Sequence, residues 1–241
     1  MNVWIKALAA VAVAVSVAGC DEGDIPETVV AGRTDTRSAH FAGRLTGVDT
    51  WGAGYSVVLA GFANSGDYAL ISKDIGSGEG DGMDFDVTLN GVPAEVTSVE
   101  LCVINRLRQR VATVCVVAMP ADAGFGDPVE LPAGTYDCGM ASAVQSEIFD
   151  PTCAQCHGGA NYAAAGLYLT AGRSYAELVN VASVKEPDAV RVVPGNSGAS
   201  LLYQILSTNS SAVWNYDHSV EVVDPVKLDL IRDWIDFGAM K

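Results

Sequence analysis

Between His40 and Cys138 the apolar residues come in short runs that alternate or are β-branched, each closed by Gly, Asn, Asp or Pro. They are Phe41–Val48, Tyr55–Phe62, Tyr68–Ser72, Met83–Leu89, Ala94–Ile104, Val111–Met119 and Pro128–Tyr136. A period of two puts alternate side chains on opposite faces of a strand, and turn residues between runs reverse the chain. Seven such runs in about a hundred residues predict an all-β, immunoglobulin-like sandwich over 40–140. From Val144 the spacing lengthens to three and four. Val144 and Ile148 give one helix an apolar ridge, and Asn196 or Ser197 can cap a helix carrying Leu201, Leu202 and Ile205. Asp224-Pro225 supplies an N-cap and a first-turn proline. Leu228, Ile231 and Ile235 follow, with Leu230, Trp234 and Phe237 on a neighbouring stripe, and Gly238 ends that helix. The change of period near 139–143 predicts two domains, β-rich over 40–140 and helical over 144–241.

The leader has a different pattern. Ala7 to Val17 is a run of Ala, Val and Leu broken only by Ser16, preceded by Lys6. Its length suits the apolar core of an export signal and falls short of the ~20 residues of a spanning helix. Val17-Ala18-Gly19-Cys20 resembles the lipobox of bacterial lipoproteins. The resemblance implies a signal peptide over 1–19, acylation of Cys20, and a cell-envelope location facing the periplasm. An ordinary signal with an incidental cysteine, or an uncleaved anchor, is the alternative. Asp21 resembles an inner-membrane retention signal, and the choice of membrane stays open. Residues 20–39 are polar and read as a tether.

Charge narrows the choice of partner. The 241 residues hold 29 acidic against 14 basic side chains, a net charge of −15, and loss of Lys6 with the leader makes the mature chain one unit more negative. Nucleic acid is excluded, because phosphate neutralisation needs a basic face. An apolar share of 49% excludes general disorder. A partner protein would meet this acidity with a basic docking face.

Cys153-Ala154-Gln155-Cys156-His157 carries the sharpest chemistry. Two thiols three positions apart can each form a thioether to a haem vinyl group, and the adjacent His is placed beneath the iron. A thioredoxin-like redox pair, a zinc site and coincidence are the rival readings. The first wants a βαβ context, and the second wants about four ligands.

The pentapeptide lies within a longer pattern. Ile148–Gly159, Ala165–Leu169, Ser174–Leu178, Val193–Ser197 with Ser200–Tyr203, and Leu230–Ile235 with Gly238-Ala239 together resemble a single-haem cytochrome c domain of bacterial exported proteins, over 144–241. The resemblance implies an all-α cytochrome c fold holding one covalent haem (heme c) on Cys153, Cys156 and His157. Relatives carry a Met as second iron ligand in a loop before the Trp-Ile pair. Here that stretch is Val213–Ser219, without Met, and His218 takes the equivalent place. Ligation by His157 and His218 is the expectation, with an open or water-bound position, or Met240, as alternatives.

Cys102, Cys115 and Cys138 remain. Cys102 and Cys115 lie symmetrically about Arg108-Gln109 and would face one another in a hairpin, which predicts a disulfide between them. Cys115 with Cys138 is the competing pair. Asp74, Glu79, Asp81, Asp84 and Asp86 crowd a Gly-rich loop but do not follow a calcium-loop order, and read as a solvated turn. Arg106, Arg108 and Arg110 alternate at the same hairpin tip as exposed charge, or as a contact for an acidic partner or lipid headgroups. No catalytic triad, phosphate loop or carboxylate pair is present. The sequence therefore favours a membrane-tethered, non-catalytic electron carrier with a β-domain that docks it. A haem sensor or redox enzyme with an open sixth site, or an assembly subunit of a larger complex, is the alternative.

Overall fold

Alternation along the first strand sets the architecture. In β1 (Arg37–Thr46), Arg37, Ala39, Phe41 and Leu45 are buried while Ser38, His40 and Arg44 face outward. The computed structural model describes residues 36–64, 66–75, 82–160 and 162–241. The expected signal peptide, the acylation site Cys20, most of the tether, and the acidic-loop residues Glu79 and Asp81 lie outside the described residues. Seven further strands follow: β2 (Tyr55–Phe62), β3 (Ile71–Asp74), β4 (Met83–Val92), β5 (Ser98–Asn105), β6 (Arg110–Ala118), β7 (Val129–Glu130) and β8 (Thr135–Asp137).

They build two four-stranded sheets. One has the order β4-β1-β7 with β8 also paired to β1, and the other the order β3-β2-β5-β6. Most pairings are antiparallel, but β1 runs parallel to both β7 and β8. β5 is buried on both faces: Val99, Leu101 and Val103 join the main core, while Cys102 and Ile104 join a smaller cluster with Val58, Ala60, Phe62 and Ala69.

The chain turns helical at Met140. α1 (Met140–Val144) runs into a π-helical stretch, Gln145–Cys153, which contains Pro151, and then α2 (Ala154–His157). Wider winding accommodates a residue that lacks an N–H to donate. Then come α3 (Ser174–Leu178), α4 (Leu201–Ser207), α5 (Ser211–Trp214) and α6 (Pro225–Asp236). Asp224 caps α6 by accepting from the Val226 N–H at 2.9 Å. Asn196 caps the short 3-10 turn Ser197–Ala199 rather than α4. Val144 and Ile148 are buried with Leu230, Ile231 and Ile235 in one core, where α1 packs on α6. Among the described residues no helix is long and apolar enough to cross a membrane.

The expected fold class is corrected on both counts. The C-terminal part is not an all-α cytochrome c fold, since its α-helices span only four to twelve residues, the first two joined through the π-helical stretch and the rest separated by loops that include the isolated bridges Val179↔Val192 and Ala182↔Val190. α3, α4 and α5 span only five, seven and four residues, too few for an apolar stripe that could hold a bundle by itself. The strand part is not a self-contained immunoglobulin-like sandwich, because its pairing is mixed and its core continues into the helices. Residues 34–241 form one compact unit.

Named contacts close that junction. Trp51 Nε1 donates to the Cys138 carbonyl at 2.5 Å, the Met140 N–H to Thr50 Oγ1 at 2.9 Å, and Tyr55 Oη to Asp233 Oδ2 at 2.6 Å. Glu147 accepts from the Thr113 N–H at 3.0 Å, and Lys227 Nζ donates to the Glu147 carbonyl at 2.9 Å. Gly47, with φ 70°, allows the end of β1 to approach Gly139 backbone to backbone.

Candidate haem site

α2 and the π-helical stretch before it place Thr152, Cys153, Cys156 and His157 along one wall of a cavity of about 400 Å³. Leu167, Leu169, Leu178, Leu201, Leu202, Ile205 and Leu206 supply an apolar lining, while Lys185, Arg191, Tyr216 and Glu221 supply polar groups. Cys156 is exposed and Cys153 half-buried. Burial, with help from Glu221, pushes the Cys153 thiol up to about 12.

His157 is oriented from behind. Its Nδ1 lies 3.1 Å from the Ala164 carbonyl and 3.3 Å from that of Leu167, so the proton belongs on Nδ1 and Nε2 is left with its lone pair. The Leu169 N–H donates to the His157 carbonyl at 2.7 Å, tying the loop 158–169 to the same point.

His218 enters from the opposite end of the chain. It begins a 3-10 turn, His218–Val220, whose N-cap Asp217 accepts from the Ser219 N–H at 3.0 Å. Its ring stands near-parallel to that of His157, at 28°, with centroids 6.5 Å apart. Two imidazoles that share one metal through bonds of about 2.0 Å have ring centres roughly 6 Å apart. Burial, reinforced by the nearby His157, lowers the His218 pKa and so favours the neutral imidazole, the form a metal accepts. Its Nδ1 is buried without a hydrogen bond of normal geometry. The Tyr216 ring meets His218 edge-on at 5.0 Å, and its hydroxyl is hydrogen-bonded to Glu221.

These residues fit a haem. Among the described residues no group of three or more His, Cys, Asp or Glu side chains is arranged to hold a metal alone. An iron here would take its remaining ligands from a macrocycle, and the apolar cavity is where a macrocycle would lie. Met240 does not line the cavity, and its carbonyl is held by Trp234 Nε1 at 2.9 Å. Sequence reasoning did not find Tyr216, Glu221, Lys185 or Arg191. They belong to no motif, and only folding brings loops 183–191 and 216–221 to α2.

The expected Cys102–Cys115 disulfide is not formed, nor is Cys115–Cys138, and all three thiols are free. A bulge between Leu101 and Cys102 pairs Leu101 with Cys115 and Cys102 with Thr113. The two cysteines therefore lie on opposite faces of the sheet, and Cys115 meets Tyr136 Oη at 3.8 Å instead. Of the acidic residues expected in a loop, Asp84 and Asp86 lie on β4, where Asp84 is 3.3 Å from Arg44 and Asp86 is 2.9 Å from His40. Compared with known proteins, the chain matches no family model, no curated protein and no solved structure.

Proposed function

We propose that this protein is a c-type electron carrier of the cell envelope, with one haem bound covalently through Cys153 and Cys156 and ligated by His157 and His218. The observation that carries the reading is the pair of near-parallel imidazoles 6.5 Å apart across a leucine-lined cavity, with the Cys153/Cys156 pair on its wall. When bound, the haem supplies one-electron exchange. The chain contributes the rest. Two carbonyls fix the His157 tautomer, burial favours the neutral form of His218, and the leucines give the cavity its apolar lining. His218 standing opposite His157 disfavours the open sixth site of a sensor or oxygen-handling enzyme. Ligation by two imidazoles rather than by imidazole and thioether favours a lower potential. The two sheets are assigned the role of a docking platform, the acidic surface that of attracting a basic partner, and acylated Cys20 that of anchor.

Optical and paramagnetic-resonance spectra of the holo-protein provide the test. The unaltered protein should show one haem with thioether linkages, six-coordinate and low-spin in both oxidation states. His218→Ala should turn high-spin and bind carbon monoxide. A His218→Ala protein that stays six-coordinate and low-spin overturns the ligand assignment. A purified, matured protein without haem overturns the function.

A further inference from the structure

The turn joining β5 to β6 is built around Asn105, whose Oδ1 accepts from the N–H groups of Leu107 and Gln109, each at 3.0 Å. The Arg108 N–H closes the turn on the Asn105 carbonyl at 2.8 Å, and Arg108 has a φ of 62°. In three-residue hairpin loops that left-handed position is a glycine position, because any Cβ is crowded there. An arginine in it is a local cost that the fold does not require, and such costs concentrate where a side chain has a task.

The neighbouring residues indicate the task. Of the three alternating arginines, Arg110 is committed to the fold, 3.3 Å from Glu100 and over the Phe62 ring at 4.3 Å. Arg108 and Arg106 are exposed, and among the described residues Arg106 donates to the Ala53 carbonyl, at 3.4 Å. Leu107 between them is 72% exposed. Alongside runs 66–70, joined by the Ala69 N–H to the Arg108 carbonyl at 3.0 Å and by the Tyr68↔Gln109 bridge. It adds Tyr68, 54% exposed, and one acid, Asp67. Two guanidinium groups flanking an exposed Leu, with a Tyr beside them, therefore project from a molecule of net charge −15.

We infer that this tip seats the protein on an anionic lipid surface. Guanidinium groups bind phosphodiester oxygens bidentately, while a Leu and a Tyr between them enter the boundary of headgroup and acyl chain. The acidic remainder of the molecule repels such a surface, but beyond a Debye length of about 8 Å that repulsion is screened. The contact would set which face of the body points to the membrane. The inference rests on the proposed envelope location, which supplies the bilayer, and is independent of the haem ligands.

The test is co-sedimentation of the mature chain, residues 20–241 carrying Cys20→Ser so that no acyl chain contributes. Vesicles of phosphatidylcholine are compared with vesicles holding about 30% phosphatidylglycerol. Binding should require the anionic lipid and fall with salt. Arg108→Gly should weaken it about fivefold, and Arg106→Gln with Arg108→Gly about twenty-fivefold, at roughly fivefold per arginine. Arg108→Gly relieves the backbone, so its melting temperature should hold or rise, which separates lost contact from lost fold. Equal binding to both vesicle types, no binding by the unaltered tip, or unchanged binding by the double variant overturns the inference. No vesicle binding together with tip-dependent binding to a protein partner would replace it. Mass analysis of Cys20 in the native envelope tests the anchor separately.

Discussion

Arg37 is 3% exposed, and its guanidinium is held by backbone carbonyls. Its Nε donates to the Ala123 carbonyl at 3.2 Å. Its Nη1 donates to those of Pro93, Ala94 and Val96 at 3.0, 3.3 and 3.2 Å, and its Nη2 to Met119 and Pro120 at 2.7 and 2.8 Å. One side chain thus ties the start of β1 to the connection after β4 and to the segment after β6. Charge-assisted hydrogen bonds contribute about 1.5–3 kcal/mol each, and they are not additive when they share one donor group. Arg37→Ala strands several carbonyls and should cost about 3–5 kcal/mol, within the range for losing one partner of a buried charged network. That corresponds to roughly 6–20 °C for a unit of this size. Arg37→Lys keeps the charge but offers three donors in place of five, and should cost about 2 kcal/mol. Urea unfolding, followed by far-ultraviolet circular dichroism, measures both. A loss below about 1 kcal/mol for Arg37→Ala would refute the reasoning, since that is the scale of an ordinary surface change.

Three further outcomes follow from local geometry. His40 holds Asp86 at 2.9 Å and Glu130 at 2.7 Å, and these hydrogen bonds raise its pKa against a small opposing effect of burial. The stabilisation is complete below the unfolded value of about 6.5 and lost as pH rises through the raised folded value. Stability measured from pH 5.5 to 8.5 should therefore decline more in the unaltered protein than in His40→Gln, and parallel profiles would contradict this. Gly47→Ala would place a Cβ 2.6 Å from Gly139 Cα at a φ of 70°, and should cost about 2–4 kcal/mol in the same urea assay. Burial raises the Cys102 thiol and pushes that of Cys138 up to about 12. Iodoacetamide at pH 8 should therefore modify Cys115 in the native protein and reach Cys102 and Cys138 only on unfolding, with no Cys102–Cys115 peptide in a non-reducing digest.

The strands were legible because period-two alternation and turn residues are local properties. β2 begins and ends at Tyr55 and Phe62, as the sequence run does, and Asp224-Pro225 starts α6. The pentapeptide at Cys153 and the odd placement of His218 were also visible in one dimension. What could not be seen was relational. The β-bulge at Leu101/Cys102 defeated a pairing inferred from symmetry about Arg108-Gln109, because one extra residue moves a side chain to the other face. The parallel partners of β1 lie about ninety residues further along the chain, beyond any local pattern. Period alone suggested two cores. The apolar ridge of α1 found α6 and the sheet edge at β6 together, and the helices were too short to bury their stripes alone.

That shared core makes the cavity and the sheets partners in one equilibrium. Phe41 in β1 and Ile235 in α6 belong to the same apolar cluster, so melting either part exposes the other. Anything that occupies the cavity then raises the free energy of opening strands it never touches, by mass action on the folded form alone. The sheets would report whether the cavity is filled. A chain whose cavity stands empty would present a looser β-surface to proteases than one whose cavity is filled, which is a form of quality control written into the packing.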